Sequence, residues 1–216
     1  MLSIDNISAG YDKKQVLNNL SMRVDEGEVI LLSGGNGSGK STLLKCIYNL
    51  LPLWSGNINF QGMDTKEKNS SDLIKSGIVY IPQKNFYFEN LTVLENLQIS
   101  GISHNKRDLL DSINDILDCT GLKKFKKRRP FDLSGGERKI LAFGMALVNK
   151  PKLLLFDEPF AGVDIKYSIT ILRLFNEYII KSETGLIIVE HREDAKKIFT
   201  RQVIMDLGKI VKDDKG

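Results

Sequence analysis

Val29-Ile30-Leu31-Leu32-Ser33 runs directly into Gly34-Gly35-Asn36-Gly37-Ser38-Gly39-Lys40-Ser41-Thr42. The first part is a short apolar run, β-branched at its start, and reads as a buried parallel strand. From Gly34 to Ser41 the chain fits G-x-x-x-x-G-K-[ST] without a mismatch. Glycines allow a tight turn whose backbone N–H groups converge on phosphate oxygens. A helix predicted from about Lys40 to Leu50 aims its positive N-terminus at the same anion. In that frame Lys40 reaches the β- and γ-phosphates and the Ser41 hydroxyl ligates Mg²⁺. A glycine-rich turn with no ligand would not need a strand before it and a helix after it. The motif therefore indicates a nucleoside triphosphate without saying which enzyme uses it.

Leu153 to Phe156 is a second buried strand, delivering Asp157 and Glu158 at its C-terminal end, the edge at which open parallel sheets bind ligands. Adjacent carboxylates can divide the labour, Asp157 holding the Mg²⁺ shell while Glu158 orients and polarises an attacking water. Pro159 then breaks the strand. Leu186 to Val189 forms a third such strand and ends at Glu190-His191, one of only two histidines. A strand-edge position makes His191 a functional candidate beside its ordinary structural reading.

Between these strands lies Leu133-Ser134-Gly135-Gly136-Glu137. Ser134 and Glu137 form a capping box before an apolar-periodic helix through Ile140, Leu141, Phe143 and Leu147. A capped helix start with two glycines is also an anion site. Thr92 with Glu95 is a second capping box, with a structural meaning only.

With these motifs in this order, the chain resembles the nucleotide-binding subunit of the ATP-binding cassette (ABC) superfamily over essentially its whole length. Gly34–Thr42 corresponds to the Walker A loop, Gln83 in Ile-Pro-Gln to the Q-loop, and Leu133–Glu137 to the signature. The Walker B strand is Leu153–Glu158, the D-loop Ala161–Asp164, and the switch histidine His191. The resemblance implies that Gly34, Gly35, Asn36, Gly37, Ser38, Gly39, Lys40, Ser41 and Thr42 cradle ATP. It further implies that Tyr11 stacks on the adenine and Val16 packs near the ribose. Ser134, Gly135, Gly136 and Glu137 would cap the γ-phosphate of the ATP held by another subunit, and Asp164 would also contribute to nucleotide binding. Glu158, His191, Gln83 and Lys40 would serve hydrolysis, and Ser41, Gln83 and Asp157 the Mg²⁺. Departures from the family pattern include Gly35, Arg138 after the signature, the Ala-Gly-Val-Asp D-loop and Arg192. None removes a group needed for hydrolysis, so an active ATPase is expected.

The implied fold is α/β: a P-loop NTPase (RecA-like) core with an antiparallel β subdomain and an inserted helical subdomain. One domain is expected over 1–216. The core, with its β subdomain, would span about 1–83 and 131–216, and the helical subdomain about 84–130, its signature helix continuing from 134. Alternating residues at Leu2 to Tyr11, Val16 to Val24 and Trp54 to Gly62 read as one antiparallel sheet. Lys66 to Ser71 reads as an exposed loop. Helical spacing follows at Leu94 and Leu97, then at Leu109, Ile113, Ile116 and Leu117. A hairpin is expected at Val203 to Val211, turning at Gly208.

At 216 residues, 42% hydrophobic and 27% charged, the composition is that of a soluble globular protein. Apolar runs are strand-length, too short to span a membrane, and the first residues lack a signal-peptide pattern. Cys46 and Cys119 have no close spacing and read as reduced, structural thiols. Positive charge gathers at Lys123-Lys124-Phe125-Lys126-Lys127-Arg128-Arg129. A solvated face is its default reading, with anionic lipid or nucleic acid as alternatives. Aromatic interleaving beyond Phe125 is lacking, so no specific nucleic-acid partner is expected.

The resemblance therefore implies an ATP-hydrolysing transporter subunit, cytoplasmic and peripheral on the inner face of the cell membrane. Its partners would be a second copy of itself, or a related ABC ATPase, and integral membrane transporter subunits. Phe86-Tyr87-Phe88 with Leu91 would be core or the groove receiving a membrane-subunit helix. Several stretches, including Asp-Glu-Pro-Phe-Ala-Gly-Val-Asp, look like the branched-chain amino-acid importer and lipopolysaccharide-export ATPases. The alternative is a soluble ABC-type ATPase of a protein-assembly system such as iron–sulfur cluster assembly.

Overall fold

The computed structural model describes residues 1–84, 86–101, 106–190 and 198–215, with the side chains of 106 and 107 left aside. The chain opens with β1 (Leu2–Tyr11), β2 (Lys14–Val24) and β3 (Val29–Ser33), then α1 (Lys40–Ile47). Next come β4 (Leu53–Phe60), β5 (Met63–Asp64), α2 (Ser70–Ser76) and β6 (Ile78–Ile81). Helices α3 (Val93–Ser100), α4 (Lys106–Cys119) and α5 (Gly135–Leu147) precede β7 (Leu153–Asp157). The remainder is α6 (Ile165–Phe175), β8 (Gly185–Val189), β9 (Arg201–Asp206) and β10 (Lys209–Lys215).

Two sheets result. β2-β1-β4-β5 is antiparallel throughout, and β10-β9-β3-β8-β7-β6 is parallel except for its antiparallel β9–β10 hairpin. Strand period places alternate side chains on opposite faces of the six-stranded sheet. Leu154 and Phe156 of β7, and Leu186 and Ile188 of β8, join the helical layer. Leu153, Leu155, Ile187 and Val189 face the four-stranded sheet and α1. On the helical side Phe143 packs edge-on against Phe175 at 5.2 Å and in a parallel arrangement with Phe156 at 6.2 Å. These contacts tie α5, β7 and α6 together.

Because β3, β6, β7 and β8 run in one direction, their C-terminal ends share one edge of the sheet. Ser33, Ile81, Asp157 and Val189 therefore deliver the phosphate loop, Gln83, Glu158 and Glu190 to the same rim. This register assembles the site.

Some expectations shift. Helix α1 stops at Ile47, earlier than Leu50, because Asn49 takes a left-handed φ of 50°. Residues 66–71 are not simply loop: a 3-10 turn covers Thr65–Glu67, and Asn69 caps α2 through a reciprocal bond pair with Asp72. Among the described residues of 84–130 the α-helices are α3 and α4, followed by 3-10 turns at Leu122–Phe125 and Pro130–Asp132. The basic segment also has a backbone task. Carbonyls of Arg128 and Lys126 accept the N–H groups of Val93 and Leu94 at the start of α3. Lys124 and Arg128 lie over the Phe125 ring at 4.7 and 4.9 Å, a pair of cation–π contacts. The hairpin turns at Leu207-Gly208 as expected.

Candidate active site

Helix α1 begins at a left-handed Gly39 with no side-chain cap, so its first N–H groups have no side-chain acceptor. Side chains cap α2, α3, α5 and α6. Gly34, at φ 141°, passes so close to β9 that a Cβ would sit 2.1 Å from the Met205 carbonyl oxygen. The loop is thus held tightly against the sheet. Lys40 is buried, and its Nζ donates to the Gly34 and Gly35 carbonyls at 2.9 and 2.8 Å. Burial lowers its pKa, while Glu158 and Asp157 pull it back up.

Tyr11, Val16, Asn36, Gly37, Gly39, Lys40, Ser41, Thr42 and Glu158 line one cleft of ≈ 590 Å³. Sequence reasoning missed Lys14, Gln15 and Leu207 on the same wall. Leu207 is 83% exposed at a hairpin tip, and only the tertiary fold brings it to the phosphate loop. Tyr11 is exposed, its hydroxyl 3.3 Å from Lys45 Nζ.

Asp157 is buried, and one of its carboxylate oxygens has no hydrogen-bond partner among the described residues. Burial raises its pKa; a Ser41 hydrogen bond opposes this, and the neighbouring Glu158 adds to it. A divalent cation between Ser41 and Asp157 would satisfy that oxygen and reverse the shift, so this donor set fits Mg²⁺. Glu158 sits at φ 52°, an uncommon conformation for a non-glycine residue. Its side chain accepts a bond from the Gln83 amide.

The second group of candidates stands apart from that cleft. Ser134 caps α5 by accepting from Glu137 N–H, and the Glu137 carboxylate in turn accepts from Ser134 N–H. Gly135 lines a small groove with Gln83, Ala161 and Gly162, and Glu137 lines another with Tyr167. Asp164 caps α6 through Tyr167 N–H at 3.1 Å. Tyr167 also donates its hydroxyl to Glu137 Oε1 at 3.0 Å and stacks so close to Gly136 that a Cβ there would lie 2.3 Å from the ring. Nothing local to residue 167 signals this. Burial would raise the Glu137 pKa, but bonds from Ser134 and Tyr167 bring it below the usual value. His191 lies outside the described residues.

Sequence reasoning also missed Lys139. Its Nζ donates to the main-chain carbonyls of Gln83 and Glu158 at 3.0 and 3.1 Å. Burial lowers its pKa, against the pull of Glu158, Asp157 and Glu190. Glu190, buried, accepts the Phe160 N–H at 3.2 Å.

Among the described residues no helix is long and apolar enough to cross a membrane. The family model described as ABC transporter matches residues 17–161. The chain is 34% identical to the high-affinity branched-chain amino acid transport ATP-binding protein BraG of Pseudomonas aeruginosa, over 100% of this chain and 93% of that protein. It is 31% identical to the glutamine transport ATP-binding protein GlnQ of Escherichia coli, over 99% of this chain and 90% of that one. A solved ATP-binding cassette of an ABC transporter superposes with a TM-score of 0.90 at 29% identity, covering 100% of this chain and 91% of that chain. These relatives do not favour the assembly-factor alternative. On its motifs, its fold and its relatives, the chain belongs to the ABC transporter family and is one of its cassette ATPases.

Proposed function

We propose that two copies of this chain, or one copy with a related cassette, close head-to-tail over ATP and drive separate membrane subunits. One observation carries this reading. The phosphate loop and Glu158 share a cleft, whereas Ser134–Glu137 stand outside it at the start of α5. A capped helix start with two glycines has anion-binding chemistry but no anion site of its own subunit to serve. A second subunit supplies one.

In this reading Lys40 and the loop amides hold the phosphates, Tyr11 and Val16 the nucleoside, and Leu207 adds apolar cover. Ser41, Asp157 and Gln83 hold Mg²⁺, which when bound neutralises phosphate charge and polarises the γ-phosphoryl group. Glu158 accepts a hydrogen bond from the attacking water, and Gln83 links that carboxylate to the segment before α3. His191, two residues after β8 in the sequence, and Asp164 in the D-loop complete the assignment. The chain divides functionally into the core at about 1–83 and 131–216 and a helical arm at about 84–130.

A groove lined by Tyr48, Ile74, Phe86, Tyr87, Phe88, Ile99 and Met145 lies just beyond Gln83. Phe86 and Tyr87 also pack on the core, and Phe88 is 54% exposed. The groove suits a helix from the membrane subunit. That partner would hold the chain peripherally on the cytoplasmic face of the membrane. BraG and GlnQ both serve amino-acid transport by name, which supports an amino-acid transporter, with the cargo chosen by other subunits.

The test is the ATPase rate of the isolated chain against its own concentration. A rate that rises more steeply than linearly is expected, because each site needs two copies. Strict proportionality down to concentrations where the chain is monomeric would sink the shared-site reading. Purification of the tagged chain from gently solubilised membranes should also recover a polytopic membrane protein.

A further inference from the structure

Lys139 lies on α5, two residues beyond Glu137, and a lysine on a helix ordinarily extends into solvent. This one turns inward. Its ammonium donates to two main-chain carbonyls, those of Gln83 at 3.0 Å and Glu158 at 3.1 Å. Both belong to residues assigned to hydrolysis, and they come from different segments.

The Glu158 carbonyl is not an arbitrary acceptor. Glu158 holds a left-handed φ of 52°, which L-residues other than glycine disfavour and which persists where surrounding contacts over-determine it. Its N–H donates to the Val189 carbonyl at 3.0 Å, and its carbonyl also accepts from Ala161 N–H at 3.3 Å. Among the described residues Lys139 supplies the side-chain bond to this backbone unit, and it is charge-assisted. The left-handed turn decides where the Glu158 carboxylate points. The second bond fastens the Gln83 backbone to the same ammonium, while the Gln83 side chain contacts the Glu158 carboxylate. A single cation therefore joins the signature helix, the Q-loop and the turn that aims the carboxylate.

We propose that Lys139 is a positioning residue for ATP hydrolysis: from the signature helix it clamps the Gln83 and Glu158 carbonyls and so fixes the Glu158 carboxylate in its working orientation. The inference rests on the reading of Glu158 as the group that orients the attacking water. It adds a physical link, inside one subunit, between the element expected to meet the partner's nucleotide and the group expected to act on its own.

The experiment compares Lys139→Met and Lys139→Arg with the unmodified chain and with Glu158→Gln, measuring turnover, ATP affinity and melting temperature. Methionine keeps the length but has no donor. An arginine fork can still reach two carbonyls. Misplacing a reacting group by about 1 Å can slow a reaction roughly 100-fold, so Lys139→Met should lose about 10- to 100-fold in turnover with ATP affinity nearly unchanged. Lys139→Arg should recover most of that loss. Normal turnover in Lys139→Met overturns the proposal. So does a parallel loss of turnover, ATP affinity and melting temperature that arginine does not rescue. Glu158→Gln separates the two ideas: turnover near normal in that variant removes the reading of Glu158 itself. An inactive Glu158→Gln beside an unimpaired Lys139→Met removes only the role of Lys139.

Discussion

Gly136 illustrates what one hydrogen atom in place of a methyl group permits. Its backbone φ is ordinary, so the constraint is spatial: the Tyr167 ring occupies the place of a Cβ at 2.3 Å. Gly136→Ala should destabilise the chain by about 1–3 kcal/mol, the usual range for overpacking a tight contact. In a Tyr167→Ala background the same change should be nearly neutral, giving a non-additive double-mutant cycle. Thermal melts of the four proteins check this, and additive effects would count against the contact. The pair was not legible in the sequence, because its members are 31 residues apart (167 − 136). Lys139 escaped for the same reason: its acceptors lie 56 and 19 residues away. By contrast, the strand before the phosphate loop and the helix after it could be read directly, since that geometry is enforced by neighbours in the chain.

At the scale of elements, what was legible were the starts of helices. Thr92 and Ser134 each sit three residues before a glutamate, and both boxes form with reciprocal bonds. Thr92→Ala should cost about 1 kcal/mol, typical for loss of an N-cap, and lower the melting temperature by roughly 2–4 °C for a domain of this size. An unchanged melting temperature would mean that the Arg128 and Lys126 carbonyls alone suffice to hold the start of α3. Less legible were the short pieces. Ile78–Ile81 is one of them, with no signal of its own apart from the glutamine two residues beyond it. Its four buried residues carry no period that distinguishes a strand from a helix. Residues 66–71 looked uniformly polar, yet Asn69 and Asp72 organise a helix there. The extra turn expected for α1 was lost to one asparagine.

At the scale of the molecule, the two sheets are fastened at one end by Arg201. This buried guanidinium pairs with Asp213 of β10 at 2.6 Å, with Glu28 before β3 at 3.2 Å, and with the Arg23 carbonyl of β2 at 2.8 Å. Hydrogen bonds from Arg201 lower the Asp213 pKa, against a smaller opposing effect of burial. A carboxyl depressed on folding contributes stability above its unfolded pKa, about 3.9, and loses it as pH falls towards the folded value. Asp213→Asn should therefore melt at a lower temperature than the unmodified chain at neutral pH, with the gap closing below about pH 4. A gap independent of pH would show that the pair contributes shape and no linked charge.

The order of strands also governs when the chain can acquire its chemistry. β3 carries the phosphate loop, yet it is flanked by β8 and β9, so Val29 meets Leu186 and Ile30 meets Arg201. The Gly208 N–H then donates to the Ser38 carbonyl of the loop itself. A ribosome delivers those neighbours long after β3 has emerged, leaving an apolar strand with both edges unpaired for most of synthesis. Such pairings form slowly and invite aggregation meanwhile. The loop that cradles phosphate is therefore braced, on the β9 side, by chain made about 170 residues after it.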